Sequence, residues 1–568
     1  MQKGIALSKG IAVGKAFLLK IDEITIQKKL VGTVDSEIEN FKAAVNKTVN
    51  QLKKLIANAK ANKQKDLQEI LSAHLLLALD EVVNEKVVEM IKTKRVSLVY
   101  ALKETTNEYI KLFNEMEDPY LKERVVDLID VSERIIKNAL NIEITDLSQI
   151  NENVILVVKD LKPSLAAEIN PNYIKGFITE TGGLTSHTAI IAKMLNIPAI
   201  ILNDATSLIY NNEPLLLDGY NGYAFPNYDA ETFNTYQNII EQKHQHTLSL
   251  EQYKNKKTIT KDKKQVPLYA NINTASDLKF VLENTNEGIG LFRTELLFLN
   301  RNSMPTEDEQ FLIYKDVLTK MNKRPVIVRT LDIGTDKTIS YLPLKQELNP
   351  NLGKRGIRLS LAKPHFFKMQ LKALYKASVY GNLKIMFPMI ANLDEYLQLK
   401  ELANEVKAEL SETNTPYKDV PLGIMIEVPA AALTAAELAK EADFFSIGTN
   451  DLIQYTMAAD KNNEELTYLY KPFNLAIIKL LDLTITAAKA NNIEVGVCGE
   501  MANDKYAIPL LIGLGIDNLS VTPADTLNIR KKIHSYEYIQ LKLLKEKVLT
   551  AKNETEVLFY IKELIKED

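Results

Sequence analysis

Hydrophobic residues recur at two spacings along this chain, and the spacing changes at definite points. In residues 1–20, short apolar runs alternate with glycines, which predicts one or two short β-strands. From about residue 33 the apolar residues recur every three or four positions, the period of an amphipathic helix, and the segments 74–91 and 120–140 keep that period. Residues 33–143 are therefore predicted to form a helical subdomain of three or four helices.

A different pattern follows that helical subdomain. After the strand-like run NENVILVVKD, predicted strands and helices alternate to about residue 228, which indicates a compact α/β segment. Helical sequence from Ala230 to about Leu250 then leads into the lysine-rich stretch YKNKKTITKDKK. Such a polar stretch is typical of a solvated linker.

The C-terminal half of the chain has the clearest pattern, in which eight short apolar runs are separated by predicted helices. Eight strands that alternate with helices over about 250 residues predict a (β/α)8 TIM-like barrel, whose active site lies at the carboxyl ends of the strands. The chain is thus predicted to be a multidomain α/β protein. The eight runs are VPLYANIN, GIGLFRTE, PVIVRTLD, LKIMFPM, LGIMIEVP, FFSIGTND, EVGVCGEM and NLSVTP.

Composition and charge narrow the function only slightly. The chain has 46% hydrophobic residues, 25% charged residues and a formal net charge of −3, so nothing calls for nucleic acid as a partner. The N-terminus lacks the apolar core of a signal peptide, and no stretch approaches the length of a spanning helix. We therefore expect a cytoplasmic protein without membrane insertion. The single cysteine, Cys498, excludes an internal disulfide framework and fits a reducing compartment.

Polar residues follow most of the predicted barrel strands at the point where each strand ends. On a barrel these side chains would line one mouth. Any one of them could be an ordinary ion pair or cap, whereas their joint occurrence favours an active site. They are Arg293, Arg329, Asp332, Glu427, Asn450, Asp451 and Cys498.

The residue types in this set predict a negatively charged, metal-bound substrate. Arginine binds phosphate or carboxylate bidentately, and Arg355 in NPNLGKRGIR is a further candidate. Glu427 and Asp451 supply hard oxygen ligands of the kind that Mg²⁺ uses when it keeps several waters and shares a substrate phosphate. We therefore expect a phosphorylated small acid as ligand. Cys498 is either a proton donor to an enolate or a buried cysteine that only packs.

One histidine, His187, lies among glycines and hydroxyl residues in the stretch TGGLTSHTAIIAKMLNIPAI. Thr185 and Ser186 are good capping residues and apolar residues follow at helical spacing, so His187 is predicted to begin a helix. The absence of a second histidine at metal-ligand spacing in the sequence argues against a metal site. A helix N-terminus stabilises a phosphate, so two interpretations stay open: a structural role and a histidine that becomes phosphorylated.

The same stretch resembles the phosphohistidine segment of enzyme I of the bacterial sugar phosphotransferase system. The resemblance to this family, the phosphoenolpyruvate-protein phosphotransferases, extends over essentially the whole chain, and the motifs follow the family's order. The further motifs are GIALSKGIAVGKA, AHLLLALDE, YLKERVVDLIDVSERI, GLFRTELLFL, VRTLDIGTDK, NPNLGKRGIR, EVPAA, SIGTNDLIQYT and VCGEMA.

The resemblance implies a two-step reaction. Phosphoenolpyruvate binds in the barrel with Mg²⁺ and phosphorylates His187, which leaves an enolate that is protonated to pyruvate. The phosphoryl group then passes to the phosphocarrier protein HPr. Because two separated sites serve one histidine, the domain that carries it must move.

The resemblance also implies a domain organisation. Residues 1–32 and 144–229 would form the α/β phosphohistidine swivelling domain, and residues 33–143 would be the inserted helical-bundle subdomain that binds HPr. Residues 230–264 would provide the linker helix and hinge. Residues 265–568 would be the (β/α)8 phosphoenolpyruvate-binding domain, through which the family forms homodimers.

By motif, the resemblance assigns a role to each candidate residue. The matches are Arg293, Arg329 and Arg355 for the phosphate and carboxylate clamps, Asn450 and Lys461 for further substrate contacts, Glu427 and Asp451 for the metal ligands, Cys498 for the proton donor and His187 for the phosphorylated nucleophile.

Three positions depart from the family's pattern. Leu184 stands where enzyme I usually has arginine, although the related pyruvate phosphate dikinases have an apolar residue there. Ala166 replaces a threonine that commonly hydrogen-bonds the active histidine, and Lys461 replaces an arginine. These departures leave open a weakened paralogue that acts as a regulatory binding protein. A dikinase or phosphoenolpyruvate synthase is the other alternative, but residues 33–143 contain no glycine-rich loop for a nucleotide domain.

The Lys461→Arg substitution is expected to improve turnover of phosphoenolpyruvate. Lysine keeps the positive charge of the family's arginine but lacks its bidentate fork, which predicts weaker binding or slower transfer in the native chain. Steady-state kinetics of the two proteins measure the difference, and an unchanged kcat/KM would contradict this interpretation of position 461.

Overall fold

A mixed β-sheet and a closed barrel organise the two halves of the chain. The computed structural model describes residues 1–19, 26, 28–31, 33–61, 65–115, 119–142, 146–182, 188, 191–192, 195, 197–299, 301, 303–334, 339, 341–342, 344–345, 347–461 and 463–565. The chain divides into two units, Met1–His244 and Gln245–Asp568. None of the helices among the described residues combines the length and the hydropathy of a membrane span.

The sheet of the first unit has the strand order β1-β8-β7-β3-β4-β5-β6-β2. Strands β3 to β6 pair in parallel, and the flanking strands add antiparallel edges. Because β4 lies in the middle of the sheet, its sequence VILVV is apolar throughout and every residue is buried. The strands are β1 Gln2–Lys3, β2 Ile5–Ser8, β3 Ile11–Leu19, β4 Val154–Val158, β5 Ile174–Thr179, β6 Ala199–Ile201, β7 Pro214–Asp218 and β8 Tyr223–Pro226.

Within the described residues between β3 and β4 there are five α-helices, so the prediction of three or four was too low. The apolar period runs unbroken through 74–91, but the chain turns at Asp80, whose carboxylate accepts a hydrogen bond from the Val83 N–H at 2.9 Å. Asp80 is thus the N-cap of the helix that begins at Glu81, and the preceding helix ends at Ala78. The five are α1 Val34–Ala61, α2 Lys65–Ala78, α3 Glu81–Lys94, α4 Leu98–Glu115 and α5 Pro119–Ala139.

Buried polar contacts fix this helical bundle to the segment after β4. The carboxylate of Asp130 on α5 accepts hydrogen bonds from the N–H and the hydroxyl of Ser164, at 3.0 and 2.7 Å. Arg134, one turn further along α5, pairs with Glu168 at 3.3 Å. Further helices among the described residues are α6 Pro163–Ala166, α7 Ala205–Leu208 and α8 Ala230–Glu251.

The second unit contains the predicted barrel. All eight apolar runs form strands, each parallel to its neighbours, and the ring closes between the last strand and the first. The strands are β9 Leu268–Ile272, β10 Gly288–Arg293, β11 Pro325–Arg329, β12 Asn382–Phe387, β13 Leu422–Ile426, β14 Phe444–Ile447, β15 Glu494–Val497 and β16 Asn518–Val521.

Helices surround the barrel and bury its outer face in a continuous apolar core. A smaller inner core holds the side chains of Leu291, Ile327, Met386, Met425, Phe444 and Cys498. The helices are α9 Leu278–Glu283, α10 Glu307–Met321, α11 Ile357–Ala362, α12 Pro364–Ala377, α13 Leu393–Glu412, α14 Pro429–Leu433, α15 Ala435–Leu438, α16 Thr449–Met457, α17 Leu475–Ala490, α18 Ala507–Leu514, α19 Thr526–Ile533, α20 Tyr538–Leu549 and α21 Glu554–Ile565.

Arg530 on α19 is expected to be a major determinant of barrel stability. It is fully buried, and its guanidinium donates to Tyr253 O, Thr258 Oγ1 and both oxygens of Thr285, at 2.8 to 3.0 Å. Arg530→Met would leave buried carbonyl oxygens without donors and should cost roughly 3 kcal/mol. Calorimetry should show a lower unfolding temperature for the second unit, whereas the exposed-site control Lys279→Met should not. Equal shifts in both variants would contradict this role.

Candidate active site at the barrel mouth

A cavity of about 560 Å³ opens at the carboxyl ends of the barrel strands. Its lining contains every barrel residue that the sequence singled out, together with further acidic and aromatic residues. The singled-out residues are Arg293, Arg329, Asp332, Arg355, Glu427, Asn450, Asp451, Lys461 and Cys498.

The strand ends determine which side chains reach this cavity. Arg293 and Arg329 are the last residues of β10 and β11, and Glu427 directly follows β13. Helix α16 begins two residues after β14, so Asn450 and Asp451 lie in its first turn. The convergence that the sequence predicted therefore follows from the parallel barrel itself.

Arg329 is buried between two carboxylates. Its Nη2 donates to Glu295 Oε1 at 2.8 Å, and its Nη1 lies 3.0 Å from Asp332 Oδ2. Burial opposes the charge of the guanidinium, but the two carboxylates outweigh it and raise the pKa of Arg329 above its ordinary value. Glu295 Oε1 also accepts a hydrogen bond from the backbone N–H of Asp332 at 3.0 Å. Glu295 therefore contacts both the Arg329 guanidinium and the backbone of Asp332.

Asp332 connects this pair to Arg355. The Nε and Nη2 atoms of Arg355 donate to the two oxygens of Asp332, at 3.2 and 2.9 Å, in a bidentate pair. Burial disfavours the charge of Asp332, yet Arg329 and Arg355 together lower its pKa below the ordinary value. Arg293 differs, because its guanidinium makes one long hydrogen bond, to Asn273 at 3.4 Å, and no ion pair with any described residue.

Glu427 lies fully buried beside this charged group. Burial, and then the charges of Asp332 and Asp451, raise the pKa of Glu427 to about 8. Its Oε1 accepts the backbone N–H of Met389 at 2.7 Å, and Met389 holds a left-handed backbone with φ of 60° to present that N–H.

The carboxylates of the cavity fit a magnesium ion. A Cβ atom at Gly448 would lie 2.9 Å from Glu427 Oε2, so glycine there leaves room beside the carboxylate. Glu427 and Asp451 follow neighbouring strands, and a divalent cation would relieve the repulsion that raises the Glu427 pKa. No group of three or more His, Cys, Asp or Glu residues in the described part of the chain could hold a metal ion. Mg²⁺ nonetheless binds through one or two carboxylates when waters and a substrate phosphate complete its shell.

Two polar residues of the first turn of α16 have partners within the cavity. Asn450 forms a reciprocal pair with Glu500, because its amide donates to Glu500 Oε1 at 2.9 Å and its oxygen accepts the Glu500 N–H at 2.8 Å. Asp451 Oδ1 lies 3.3 Å from the Nζ of Lys461. The hydroxyl of Tyr470 donates to the carbonyl of Asn450 at 3.1 Å.

Cys498 follows β15 and lies between the inner apolar core and the cavity. Its side chain packs in the inner apolar core with Met425 and Phe444 and is 2% exposed. It also belongs to the lining of the cavity. Burial raises the pKa of its thiol above the ordinary value, so the group keeps its proton at neutral pH.

The N-terminal unit contains the other predicted site residues. His187 and Leu184 lie outside the described residues. Ala166, the other departure in this unit, ends α6 and is buried in the core on one face of the sheet.

Sequence reasoning did not assign Glu295, Tyr455 or Glu500 to the site. Glu295 stands two residues after Arg293 in GLFRTE, and an acidic residue that close to a strand-end arginine is the signal that could have found it. Tyr455 stands one helical turn after Asp451, and its hydroxyl accepts from Arg355 Nη1 at 3.2 Å. Glu500 is in VCGEMA, two residues after Cys498.

Comparison with known proteins matches three successive parts of the chain to one group of enzymes. Residues 3–124 match the N-terminal domain of PEP-utilising enzymes, residues 150–222 their mobile domain and residues 248–538 their PEP-binding domain. The matches and the arginine-rich barrel mouth together define a PEP-utilising enzyme.

Similarity to relatives extends over nearly the full length. Phosphoenolpyruvate-protein phosphotransferase of Bacillus subtilis is 44% identical over 99% of both chains. That of Mycoplasma capricolum is 42% identical over 98% of this chain and 97% of its own. A solution structure of an enzyme I protein is 37% identical, with a TM-score of 0.40, and covers 43% of this chain and 100% of its own. The chain belongs to the phosphoenolpyruvate-protein phosphotransferase family, which confirms the predicted resemblance and the prediction of an enzyme.

Alkylation of Cys498 is expected to be slow at neutral pH. The thiolate is the reactive form, and burial both raises the pKa of this thiol and limits access to it. We expect iodoacetamide at pH 7.5 to label the native protein at least about tenfold more slowly than the urea-unfolded protein. Because the chain has one cysteine, mass spectrometry measures this rate without interference. Equal rates in the native and unfolded proteins would show an accessible thiolate and would contradict a role as proton donor.

Proposed function

We propose that this protein transfers the phosphoryl group of phosphoenolpyruvate to its own His187, releases pyruvate, and passes the phosphoryl group to a histidine of HPr, the first step of sugar uptake by the phosphotransferase system. The observation that supports this most strongly is the convergence of three arginines, the carboxylates of Glu427 and Asp451 and the lone cysteine in one barrel cavity. That combination suits an anion with both a phosphate and a carboxylate.

The candidate residues of the cavity have separate roles in substrate binding. Arg293, which makes no ion pair with a described residue, and Arg329 bind the phosphate, while Arg355 and Lys461 neutralise the carboxylate end or the phosphate oxygens nearest to them. Asn450 supplies an amide, which Glu500 holds in one orientation. Mg²⁺ bound by Glu427 and Asp451 would supply further neutralisation of the phosphate charge.

The chemical step exchanges one phosphorus bond for another. The P–O bond to the enol oxygen breaks as a ring nitrogen of His187 bonds to phosphorus, through a loose transition state that fixed positive charges stabilise. The electron pair of the broken bond stays on the enol oxygen as an enolate. The enolate carbon then takes the thiol proton of Cys498, which gives pyruvate, and solvent returns a proton to the thiolate.

An exposed apolar patch on the helical bundle supports docking of HPr. Leu76 near the end of α2, Leu79 between α2 and α3, and Val82 in the first turn of α3 are 71%, 49% and 68% exposed. The neighbouring residues Glu81 and Glu85 are also exposed, so the apolar patch has an acidic rim. Exposed apolar side chains with charged neighbours are typical of a protein-binding site.

Three further properties belong to this proposal. We place the enzyme in the cytoplasm, where its single free cysteine stays reduced. We assign it a homodimer formed through the C-terminal domain, residues 265–568, with residues 230–264 as linker helix and hinge. Residues 33–143 would be the HPr-binding subdomain within the α/β phosphohistidine domain of residues 1–32 and 144–229. Membership of the family supports each assignment.

Labelling with phosphoenolpyruvate that carries a radioactive phosphate tests the proposal directly. We expect acid-labile, Mg²⁺-dependent label on the native protein, no label on His187→Ala, and full label on the matched control His365→Ala, whose histidine is exposed on α12. The label should move to added HPr. No label on the native protein would overturn the proposal and favour a regulatory binding protein.

A second variant separates the two transfer steps. Leu76→Ser combined with Val82→Ser should still label itself, but should pass its label to HPr at least about tenfold more slowly, because the apolar patch no longer contributes to docking. An unchanged transfer rate would place the HPr site elsewhere on the chain.

A further inference from the structure

Both oxygens of Asp451, one of the proposed metal ligands, face a cationic side chain of the protein itself. Lys461 Nζ lies 3.3 Å from Asp451 Oδ1, and Arg355 Nη2 lies 3.4 Å from Asp451 Oδ2. A metal ion at Asp451 would have to take an oxygen that one of these cations now contacts. Metal binding is therefore linked to a rearrangement of cations within the cavity.

Of the two cations, Arg355 is held firmly. It makes the bidentate pair with Asp332, and its Nη1 donates to the hydroxyl of Tyr455, which in turn donates to the carbonyl of Asn351 at 2.5 Å. Asp332 and Tyr455 thus determine the position of this guanidinium, and Asn351 in turn positions Tyr455. It cannot leave Asp451 without disrupting the buried ion pairs that connect it to β11.

Among the described residues, only Gln454, through the backbone of Lys461, and Asp451, through its side chain, hold Lys461 in place. Its N–H donates to the Gln454 side chain at 3.2 Å, while its side chain is 35% exposed. Within the described part of the chain, Asp451 is the one ion-pair partner of its ammonium group. The lysine side chain can therefore swing away from Asp451 into the cavity at little cost in packing.

We propose that Lys461 is an exchangeable counter-cation of Asp451, which Mg²⁺ displaces and which then binds the substrate phosphate. This inference rests on the proposed function and assigns Lys461 a positioning role toward the metal in addition to its substrate contact. An ammonium and Mg²⁺ repel each other strongly at adjacent oxygens of one carboxylate, so the two compete. Displacement presents the ammonium to the phosphate, so Mg²⁺ and phosphoenolpyruvate should each strengthen binding of the other, by the same factor.

The geometry predicts that loss of the Lys461 charge changes substrate binding and metal binding in opposite directions. Removing a positively charged residue from a substrate site normally weakens ligand binding. Here the loss of the Lys461 charge should weaken binding of phosphoenolpyruvate but strengthen binding of Mg²⁺ alone, since a partly exposed ion pair no longer has to be broken. Such pairs are worth little in water, so the gain in Mg²⁺ affinity should be roughly two- to fivefold.

Calorimetric titration of MgCl₂ into the metal-free full chain measures this competition. All proteins carry His187→Ala, which prevents consumption of phosphoenolpyruvate. Lys461→Met, which keeps the length of the side chain without its charge, should bind Mg²⁺ roughly two- to fivefold more tightly than the parent. Lys461→Arg should stay close to the parent, because it keeps the competing charge. The matched control Lys320→Met breaks an exposed ion pair with Asp316 on α10 and should have no effect.

The second half of the experiment repeats the titration at saturating phosphoenolpyruvate. The substrate should tighten Mg²⁺ binding in the parent and should tighten it less in Lys461→Met. Equal or weaker Mg²⁺ binding by Lys461→Met, with normal binding by the parent, would overturn this inference and leave the proposed function intact. A parent that binds neither Mg²⁺ nor phosphoenolpyruvate would overturn both.

Discussion

The ion-pair chain that joins Glu295, Arg329, Asp332 and Arg355 determines the shape of the barrel mouth. Buried charges are stable only when they are paired and hydrogen-bonded, so each member of this chain needs the next one. These ion pairs connect the end of β11 to the segment that precedes α11, and Arg355 also contacts Asp451 on α16. Elements that are distant in sequence are thus held at fixed spacing, and the remaining polar residues of the cavity are placed relative to them.

The same charged cluster gives neighbouring carboxylates different properties. Asp332 lies between two guanidinium groups, which lower its pKa, whereas burial and the negative charges of its neighbours raise the pKa of Glu427. The surroundings of each carboxyl group, rather than the residue type, thus keep Asp332 charged and leave Glu427 to be stabilised as an anion by a divalent cation. Cys498, at the boundary between this cluster and the apolar inner core, keeps its proton for the same physical reason, the cost of a buried charge.

The sequence predicted the barrel because each strand is a short apolar run that ends in polar residues, and these two signals are local. It also identified the arginines and carboxylates, since a parallel barrel brings strand ends together. The break between α2 and α3 was missed because the apolar period continues through it, and only the capping geometry of Asp80 reveals the turn. That Glu295 pairs with Arg329, and Tyr455 with Arg355, could not be predicted, because each pair joins residues that are distant in sequence and meet only through the packing of the barrel.

The left-handed backbone of Met389 has a consequence for how this enzyme can change over evolution. A residue with a side chain costs about 1 kcal/mol more than glycine in that conformation. Here that cost is tolerated at the position whose N–H fixes Glu427. A glycine would remove the strain, but it would also give that N–H greater freedom to turn away. Relief of strain at this dihedral angle and a fixed orientation of the Glu427 carboxylate are therefore opposed, and any substitution at position 389 changes both.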